Sequence, residues 1–121
     1  MESLTKTEEQ IMQILWRLKQ ALVRDVMKEL GPPEPKYTTV SSVIRLLEKK
    51  GFVGHKAYGR THEYFPLVTK GEYRKHSFQQ LLQNYFGESH KELVSFLVEE
   101  EELGEDFVAE IQSIIDKHAK P

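Results

Sequence analysis

Tyr37-Thr-Thr-Val-Ser-Ser-Val-Ile-Arg-Leu-Leu-Glu-Lys-Lys-Gly51 is the stretch from which the fold can be worked out. Its apolar residues Val40, Val43, Ile44 and Leu47 recur at i, i+3, i+4 and i+7, which places one buried stripe along a helix. A threonine, Thr38 or Thr39, can cap the first turn through its side-chain oxygen. The closing glycine stands where helices commonly end in a left-handed conformation. The stretch therefore predicts a helix with one buried face and defined ends.

The opposite face of this helix is small, hydroxylated and cationic. At about 100° per residue it carries Thr38, Ser42, Arg45 and Lys49, with Ser41 at its margin. Short side chains allow a helix to approach a DNA groove closely, Arg can pair with guanine, and Lys can neutralise phosphate. A helix with one polar face is also the commonest kind of surface helix, so this face alone favours a solvated surface. The flanking sequence has to decide between the two interpretations.

Two more helices are predicted before this one. The first covers Thr7–Leu18, and its first residue forms a T-x-x-Q capping-box pattern with Gln10. Trp16 lies off the centre of its apolar stripe and is interpreted as a half-buried packing residue. The second covers Val23–Leu30 and ends at Gly31, because the two prolines that follow prevent its continuation. Three helices joined by short turns, with the third polar and basic outside, are typical of a helix-turn-helix unit.

The apolar periodicity then changes from a helical to a strand spacing. The segments Phe52–Tyr58 and Thr61–Leu67 are rich in aromatic and β-branched residues, and Gly59 with Arg60 between them predicts a tight hairpin. A helix-turn-helix unit followed directly by a hairpin is the pattern of a winged helix. Lys56 and Arg60 lie near the hairpin tip, where a wing contacts the sugar-phosphate backbone. Considered alone, a solvated turn explains them better.

The formal net charge of −2 hides an uneven distribution. Residues 1–68 contain 11 Lys and Arg against 8 Asp and Glu, whereas residues 69–121 contain 6 against 11. Between residues 36 and 62 a single acid, Glu48, stands against six cations, which are Lys36, Arg45, Lys49, Lys50, Lys56 and Arg60. Exposed charges are screened beyond about 10 Å. The local excess of positive charge therefore indicates a phosphate-binding surface.

From Thr69 onward the pattern is purely helical, with three apolar stripes separated by Gly87 and Gly104. The stripes consist of Phe78, Leu81, Leu82, Tyr85 and Phe86; then Leu93, Val94, Phe96 and Leu97; then Phe107, Ile111, Ile114 and Ile115. Three short amphipathic helices have more apolar face than they can bury alone, so we expect a second copy of the chain to complete their core. The sequence thus predicts a mainly α fold with a small β-hairpin. A winged-helix DNA-binding domain covers residues 1–68, and a three-helix dimerisation domain covers residues 69–121.

The composition argues against several other classes of protein. The chain has no cysteine, which removes disulfides and thiolate metal sites. It has no Gly-rich phosphate loop, paired catalytic carboxylates or nucleophile motif, so neither an enzyme nor a cofactor is predicted. His55 and His62 could face each other across the hairpin, but two ligands without a third make a poor metal site; we expect them to face solvent or phosphate. No apolar run approaches the roughly 18 residues that span a bilayer, and the acidic N-terminus is unlike a signal peptide. We expect a cytoplasmic protein without membrane insertion.

Four segments follow one another along the chain: Glu9-Gln-Ile-Met-Gln-Ile-Leu-Trp16, Tyr37-Thr-Thr-Val40, Leu47-Glu-Lys-Lys-Gly-Phe-Val53 and Gly59-Arg-Thr-His-Glu-Tyr-Phe-Pro-Leu67. In this order they resemble the BlaI/MecI/CopY family of penicillinase repressors. The resemblance covers nearly the whole chain and implies a dimeric winged-helix repressor of palindromic operators. Those operators would precede β-lactamase, penicillin-binding-protein or metal-homeostasis genes. The resemblance also implies base-reading positions and a basic wing tip, which are Thr38, Thr39, Ser42 and Arg45 in the helix and Lys56 and Arg60 in the wing.

Two departures from the family pattern bear on regulation. The copper-responsive branch has a cysteine-rich metal site, and this chain has no cysteine, so we expect no metal sensing of that kind. In the antibiotic-responsive branch a membrane-bound sensor protease system leads to cleavage of an Asn-Phe bond in the dimerisation helices. The corresponding pair here is Ser95-Phe96, which keeps Phe but not Asn. Ser95-Phe96 is therefore a candidate cleavage site, with a dimer-core role for Phe96 as the alternative.

A different function class also remains open. Winged helices serve in some assemblies as protein-interaction modules without sequence-specific DNA binding. Such a module would expose apolar residues on its third helix, whereas the sequence places Thr, Ser, Arg and Lys there.

Overall fold

The computed structural model describes residues 1–101 and 105–119, in which six α-helices and a two-stranded antiparallel sheet follow one another. In chain order the elements are α1 (Lys6–Leu18), α2 (Val23–Leu30), α3 (Tyr37–Lys49), β1 (Val53–Tyr58), β2 (Thr61–Pro66), α4 (Lys70–Phe86), α5 (His90–Glu101) and α6 (Glu105–Ala119). The predicted mainly α fold with a small hairpin is confirmed. The chain divides into two compact units, Met1–Arg74 and Lys75–Pro121.

The core of the first unit is one cluster of apolar side chains from α1, α2, α3 and the hairpin. Val40, Ile44 and Leu47 of the predicted α3 stripe are fully buried in it, and Val43 packs against it. Each fully buried side chain of this size contributes roughly 1.5–3 kcal/mol. The stripe therefore fixes which face of α3 points inward, and the opposite face is left for solvent or a ligand.

The start of α1 differs from the prediction. The Thr5 hydroxyl accepts a hydrogen bond from the Glu8 N–H at 3.2 Å, and the Glu8 carboxylate accepts one from the Thr5 N–H at 2.9 Å. This is a capping box, so the box predicted for Thr7 and Gln10 is wrong. Glu8 is buried and also receives two hydrogen bonds from the Lys50 Nζ, at 2.8 and 3.1 Å. Because Lys50 at the end of α3 binds Glu8, the capping box forms at Thr5 and not at Thr7.

The start of α3 also differs in one respect. Its N-cap is Lys36, whose extended backbone carbonyl accepts the N–H of Val40 at 3.1 Å. Thr38 and Thr39 lie inside the first turn with exposed side chains. Because an N-cap residue needs an extended backbone, the prediction that one of these threonines caps the helix is wrong. Both hydroxyls remain on the outer surface instead.

The end of α3 follows the prediction. Gly51 has φ +86° and its N–H donates to the Glu48 carbonyl at 3.0 Å, while the Phe52 N–H donates to the Leu47 carbonyl at 2.9 Å. These two bonds form a Schellman motif, in which the left-handed position favours glycine. The motif turns the chain sharply, so the hairpin starts directly beside the last turn of α3.

The hairpin has the predicted two-residue turn. The register leaves Gly59 and Arg60 between the strands, and Gly59 has φ +63°, as the first central residue of a type II′ turn requires. On the outer side of β2, Ala21 and Tyr64 exchange two backbone hydrogen bonds of 2.9 and 2.8 Å. This bridge fixes the hairpin to the segment between α1 and α2.

The first unit extends past the domain division predicted after Val68, because it includes the first turn of α4. The Tyr73 side chain is buried, and its hydroxyl accepts a hydrogen bond from the Leu4 N–H at 2.8 Å. Its ring centroid lies 6.0 Å from that of Trp16 and 5.9 Å from that of Phe52. The indole N–H of half-buried Trp16 donates to the Val68 carbonyl at 2.8 Å, which confirms Trp16 as a packing residue. Tyr73 thus closes the core of this unit.

The second unit contains most of α4 together with α5 and α6, so the three predicted helices are confirmed. Gly87, with φ +55°, follows the end of α4; the other predicted break, Gly104, lies outside the described residues. Leu82, Leu93 and Val94 are buried. Within the described ranges, no helix combines the length and the apolar character needed to cross a membrane.

Candidate nucleic-acid interface

The predicted reading positions lie on the outward side of α3. Thr38, Thr39, Ser42, Arg45 and Lys49 are all exposed. They are held there because the opposite stripe is fixed in the core and both ends of the helix are defined by neighbouring backbone. The protein therefore presents a surface of short hydroxylated side chains with two cations. That these residues contact bases stays a prediction.

A groove of about 440 Å³ runs between α3, the start of α2 and the hairpin. Arg24 of α2, Arg45 of α3 and Arg60 of the turn bring three guanidinium groups to its lining from three separate elements. Tyr37 and Ser41 add hydroxyl groups along the α3 side. Guanidinium groups present several donors in a planar fork that matches phosphate oxygens. The groove is therefore chemically suited to a nucleic-acid backbone.

Arg24 and Tyr37 are among the lining residues that were not identified from the sequence. Arg24 was counted only as part of a supporting helix, yet it lies in the first turn of α2 and lines the groove. Tyr37 is half exposed at the start of α3. The position of Arg24 one residue inside a predicted helix start was the signal that could have indicated it.

The two predicted wing cations lie on different sides of the hairpin. Arg60 lines the groove. Lys56 pairs across the strands with Glu63, and its Nζ lies 5.7 Å from the ring centroid of Tyr58. Because successive strand residues point to opposite faces, Lys56 is directed away from the face that carries buried Tyr64. Arg60 is thus placed to contact a ligand in the groove, whereas Lys56 faces the other side of the hairpin.

The two hairpin histidines do face each other. The rings of His55 and His62 are stacked, with centroids 4.3 Å apart and an interplanar angle of 13°. The Nδ1 of His55 is hydrogen-bonded to the Glu48 carboxylate near the end of α3, and His62 lines the groove. In the part of the chain that the structure describes, no group of three His, Cys, Asp or Glu side chains could hold a metal ion.

Lys50 serves the fold rather than the exposed surface. Burial by itself raises the pKa of Glu8, but the hydrogen bonds from Lys50 and Thr5 and the attraction of the ammonium group hold that pKa below its ordinary value. The hydrogen bond to Glu8 in turn raises the pKa of Lys50. The pair joins the start of α1 to the end of α3 and so helps to position the reading helix.

The predicted dimerisation residues fall into two groups. Leu82, Leu93 and Val94 are buried within the protomer and Leu97 is partly buried. By contrast, Phe78, Leu81 and Tyr85 of α4 are 40, 41 and 75% exposed, and Ile114 of α6 is exposed as well. Residues i, i+3 and i+7 share one helix face, so the α4 residues form a continuous apolar surface. The side chains of Phe107, Ile111 and Ile115 lie outside the described part of the structure.

The candidate cleavage pair lies within α5. Ser95 is exposed, and Phe96 is nearly half exposed with its ring centroid 5.5 Å from that of Phe86. Phe96 therefore has a packing partner within its own protomer, and its role in a dimer core stays a prediction. Whether the bond is cut stays a prediction.

Comparison with known proteins identifies relatives of the whole chain. The profile of one family, described as "Penicillinase repressor", matches residues 4–117. The methicillin resistance regulatory protein MecI of Staphylococcus aureus (strain N315) is 26% identical over 117 residues, which are 94% of each chain. The penicillinase repressor of Bacillus licheniformis is 23% identical over 118 residues, covering 95% of this chain and 91% of the relative. The solution structure of the DNA-binding domain of the repressor BlaI matches with a TM-score of 0.52 and 25% identity, over 59% of this chain and 88% of that domain.

Proposed function

The chain belongs to the penicillinase repressor family of DNA-binding transcriptional repressors, and from that premise we propose that it acts as a homodimer on a palindromic operator. The observation that carries the proposal is the arginine-lined groove beside the hydroxylated face of α3. The groove and the helix face lie side by side, so that the protein offers phosphate contacts next to base contacts. Phosphate contacts fix the register of a protein on DNA, and base contacts determine the sequence it selects.

The two kinds of contact are assigned to different residues. Thr38, Thr39, Ser42 and Arg45 enter the major groove on the exposed side of α3, where Arg45 pairs with a guanine. The lining residues Arg24 and Arg60 contact phosphates, as do Lys36 and Lys49 at the two ends of the helix. A helix placed in this way reads only a few base pairs, so one copy of the chain recognises a half-site.

The homodimer is supported by the apolar surface on α4. Phe78, Leu81 and Tyr85 are 40, 41 and 75% exposed and share one helix face, and contiguous exposed apolar side chains are a common mark of an interaction surface. A second copy of the same surface covers it in an isologous, two-fold symmetric contact. The two reading helices are then related by the same two-fold axis, and a palindromic operator follows from that symmetry.

Regulation is proposed from the family resemblance. The regulated genes are of the β-lactam-resistance type, and a membrane sensor protease system relieves repression by cleavage between Ser95 and Phe96. The pair lies inside α5, and a protease needs an extended backbone, so local unwinding of α5 has to precede the cut. Immunoblots of inducer-treated cells test this step: fragments should appear as repression is lost. Full derepression with an intact chain would contradict it.

An interaction module that does not bind specific DNA is the competing function. Leu46, which is 45% exposed on α3, favours it. The residue lies next to Arg45 on the outer side of the helix, where an apolar side chain can also contact a thymine methyl group. The groove arginines have no comparable explanation in an interaction module, and they favour DNA.

Selection of random duplex DNA on the purified protein tests the proposal. Enriched sequences are then measured over a salt series, because each neutralised phosphate lowers the logarithm of the affinity by about 0.9 per tenfold rise in salt. A palindromic motif with a slope corresponding to several phosphates is the expected result. Failure to enrich any motif at low salt would move the function to protein interaction.

A further inference from the structure

We propose that His62 is a phosphate-contacting residue of the groove and that Glu48 and His55 position its ring. The inference rests on the proposed DNA binding and adds a contact whose strength depends on protonation. It concerns a set of side chains that joins the end of the reading helix to the wing.

The three residues form a continuous series of contacts. The Glu48 carboxylate on α3 binds the Nδ1 of His55 on β1, and this bond fixes the plane of the His55 ring. The His62 ring on β2 lies parallel to that plane, with centroids 4.3 Å apart. Tyr64 covers the edge of both rings, at 5.8 and 6.2 Å between centroids. Two neighbouring rings, His55 and Tyr64, therefore restrict the His62 ring, and Glu48 acts on it only through His55.

His62 lines the groove, where positively charged side chains predominate. The charged and titratable groups around the two rings come from every element that borders the groove. They are Arg24 of α2; Tyr37, Arg45 and Glu48 of α3; Arg60 of the turn; and His55 and Tyr64 of the strands. Glu48 is the single acid in this set, and it is bonded to His55.

Protonation of His62 should therefore depend on whether DNA is bound. A protonated imidazole donates hydrogen bonds from both nitrogens, and histidine is the side chain whose charge ordinarily changes between pH 5 and 8. A phosphate in the groove attracts the positive charge of a protonated His62. DNA binding then takes up a proton at His62, so affinity rises as the pH falls from 8 to 6.

The test uses the full-length protein and a fluorescein-labelled 24-bp duplex of random sequence, because a phosphate contact needs no operator. Anisotropy titrations at pH 6.0 and pH 8.0 over a salt series give affinities and salt slopes. For the wild type we expect binding about threefold to tenfold tighter at pH 6.0, with a salt slope steeper by about 0.9, the contribution of one phosphate contact.

Substitution of His62 separates its phosphate contact from other effects of pH on DNA binding. His62→Gln keeps a hydrogen-bonding side chain but cannot acquire a charge, so both pH differences should disappear. His90→Gln removes a histidine from α5, outside the groove, and should leave both differences as in the wild type. Equal pH and salt responses in His62→Gln and the wild type would overturn the proposal. Absence of duplex binding by the wild type at low salt would instead overturn the proposed function.

The positioning role of Glu48 has its own readout. Glu48→Gln removes a negative charge near the DNA, which by electrostatics alone raises affinity at both pH values. Loss of ring positioning instead reduces the difference between pH 6.0 and pH 8.0. We expect that difference to fall at least twofold in Glu48→Gln, and an unchanged difference would show that His62 contacts phosphate without help from Glu48.

Discussion

The two compact units of the chain differ in how completely they bury their own apolar residues. In the first, side chains from α1, α2, α3, the hairpin and Tyr73 form one buried cluster. In the described part of the second, Leu82, Leu93 and Val94 are buried, whereas Phe78, Leu81, Tyr85, Phe96, Val98 and Ile114 are exposed. The periodic stripes in the sequence look alike in both units. A stripe therefore predicts a helix face that will be covered, but not whether the same chain covers it.

The largest effect should come from placing a charge on the exposed face of α4. Leu81→Glu alters a residue that is 41% exposed in the protomer, so the protomer should still fold. In a homodimer the carboxylate would be buried without a partner, which costs several kcal/mol. We expect a monomer by sedimentation, and a loss of operator affinity on the order of 10² to 10⁴ because the two half-sites are no longer bound together.

Gln83→Glu provides a matched control, because it introduces the same charge on a different side of α4, at an exposed position. This variant should remain a dimer. If Leu81→Glu is also dimeric and binds the operator normally, the exposed face of α4 is not the dimer surface and the contrast between the two units needs another explanation.

The next effect tests whether the first unit is held together by its own contacts. Glu8→Gln removes the charge that Lys50 contacts at 2.8 Å and turns amide protons towards an ammonium group. We expect the free energy of unfolding to fall by about 2 kcal/mol at pH 7. Because the pKa of Glu8 is lowered in the folded protein, its contribution is complete above the carboxyl's ordinary pKa and is lost as the pH falls through the lowered value. The difference between wild type and variant should therefore shrink in acid, as measured by urea unfolding at pH 7, 5 and 3.

A second capping box offers the control for this substitution. Thr69 and Glu72 exchange hydrogen bonds of 2.9 and 3.0 Å at the exposed start of α4. Glu72→Gln should lower stability less than Glu8→Gln. Equal effects would mean that capping alone, and not the contact with Lys50, accounts for the role of Glu8.

The sequence predicted the elements of the fold because each has a local signature. The α3 stripe, Gly51 at the helix end and the Gly59-Arg60 turn were all found from spacing and backbone preference. The capping box of α1 was misplaced because two T-x-x-E/Q patterns overlap. What separates them is the contact of Glu8 with Lys50, which lies 42 positions away in the sequence and has no local signal.

The candidate site shows the same limit. A helical wheel was enough to place Thr38, Ser42 and Arg45 on one exposed face. The groove was not predictable, because Arg24 and Arg60 reach it from elements whose relative position depends on the bridge between the α1–α2 segment and β2. Within the first unit, the exposed face of α3 can be predicted from neighbouring residues in the sequence. The groove depends on how separate elements pack together.

A smaller effect should distinguish the reading face from the groove lining. Arg45→Ala removes a side chain that belongs to both. If it pairs with a guanine, the variant should lose about tenfold in discrimination between the selected sequence and one changed at that base pair. Competition titrations against all single-base variants of the operator measure this loss. Unchanged affinity and preference would mean that the reading face has been assigned incorrectly.

The smallest effect compares the two sides of the wing. Arg60 lines the groove, whereas Lys56 is directed to the other face of the hairpin, opposite Glu63 and near the Tyr58 ring. Arg60→Ala should weaken binding about threefold on every sequence and reduce the salt slope by about 0.9, as the loss of one phosphate contact requires. Lys56→Ala should change affinity less than twofold and leave the slope unchanged, because its side chain points to the face of the hairpin away from the groove. The same titrations measure both variants. A larger loss for Lys56→Ala than for Arg60→Ala would mean that DNA follows the outer face of the wing and not the groove. Even inside the first unit, the charge of an exposed cation would then not be enough to assign it to DNA.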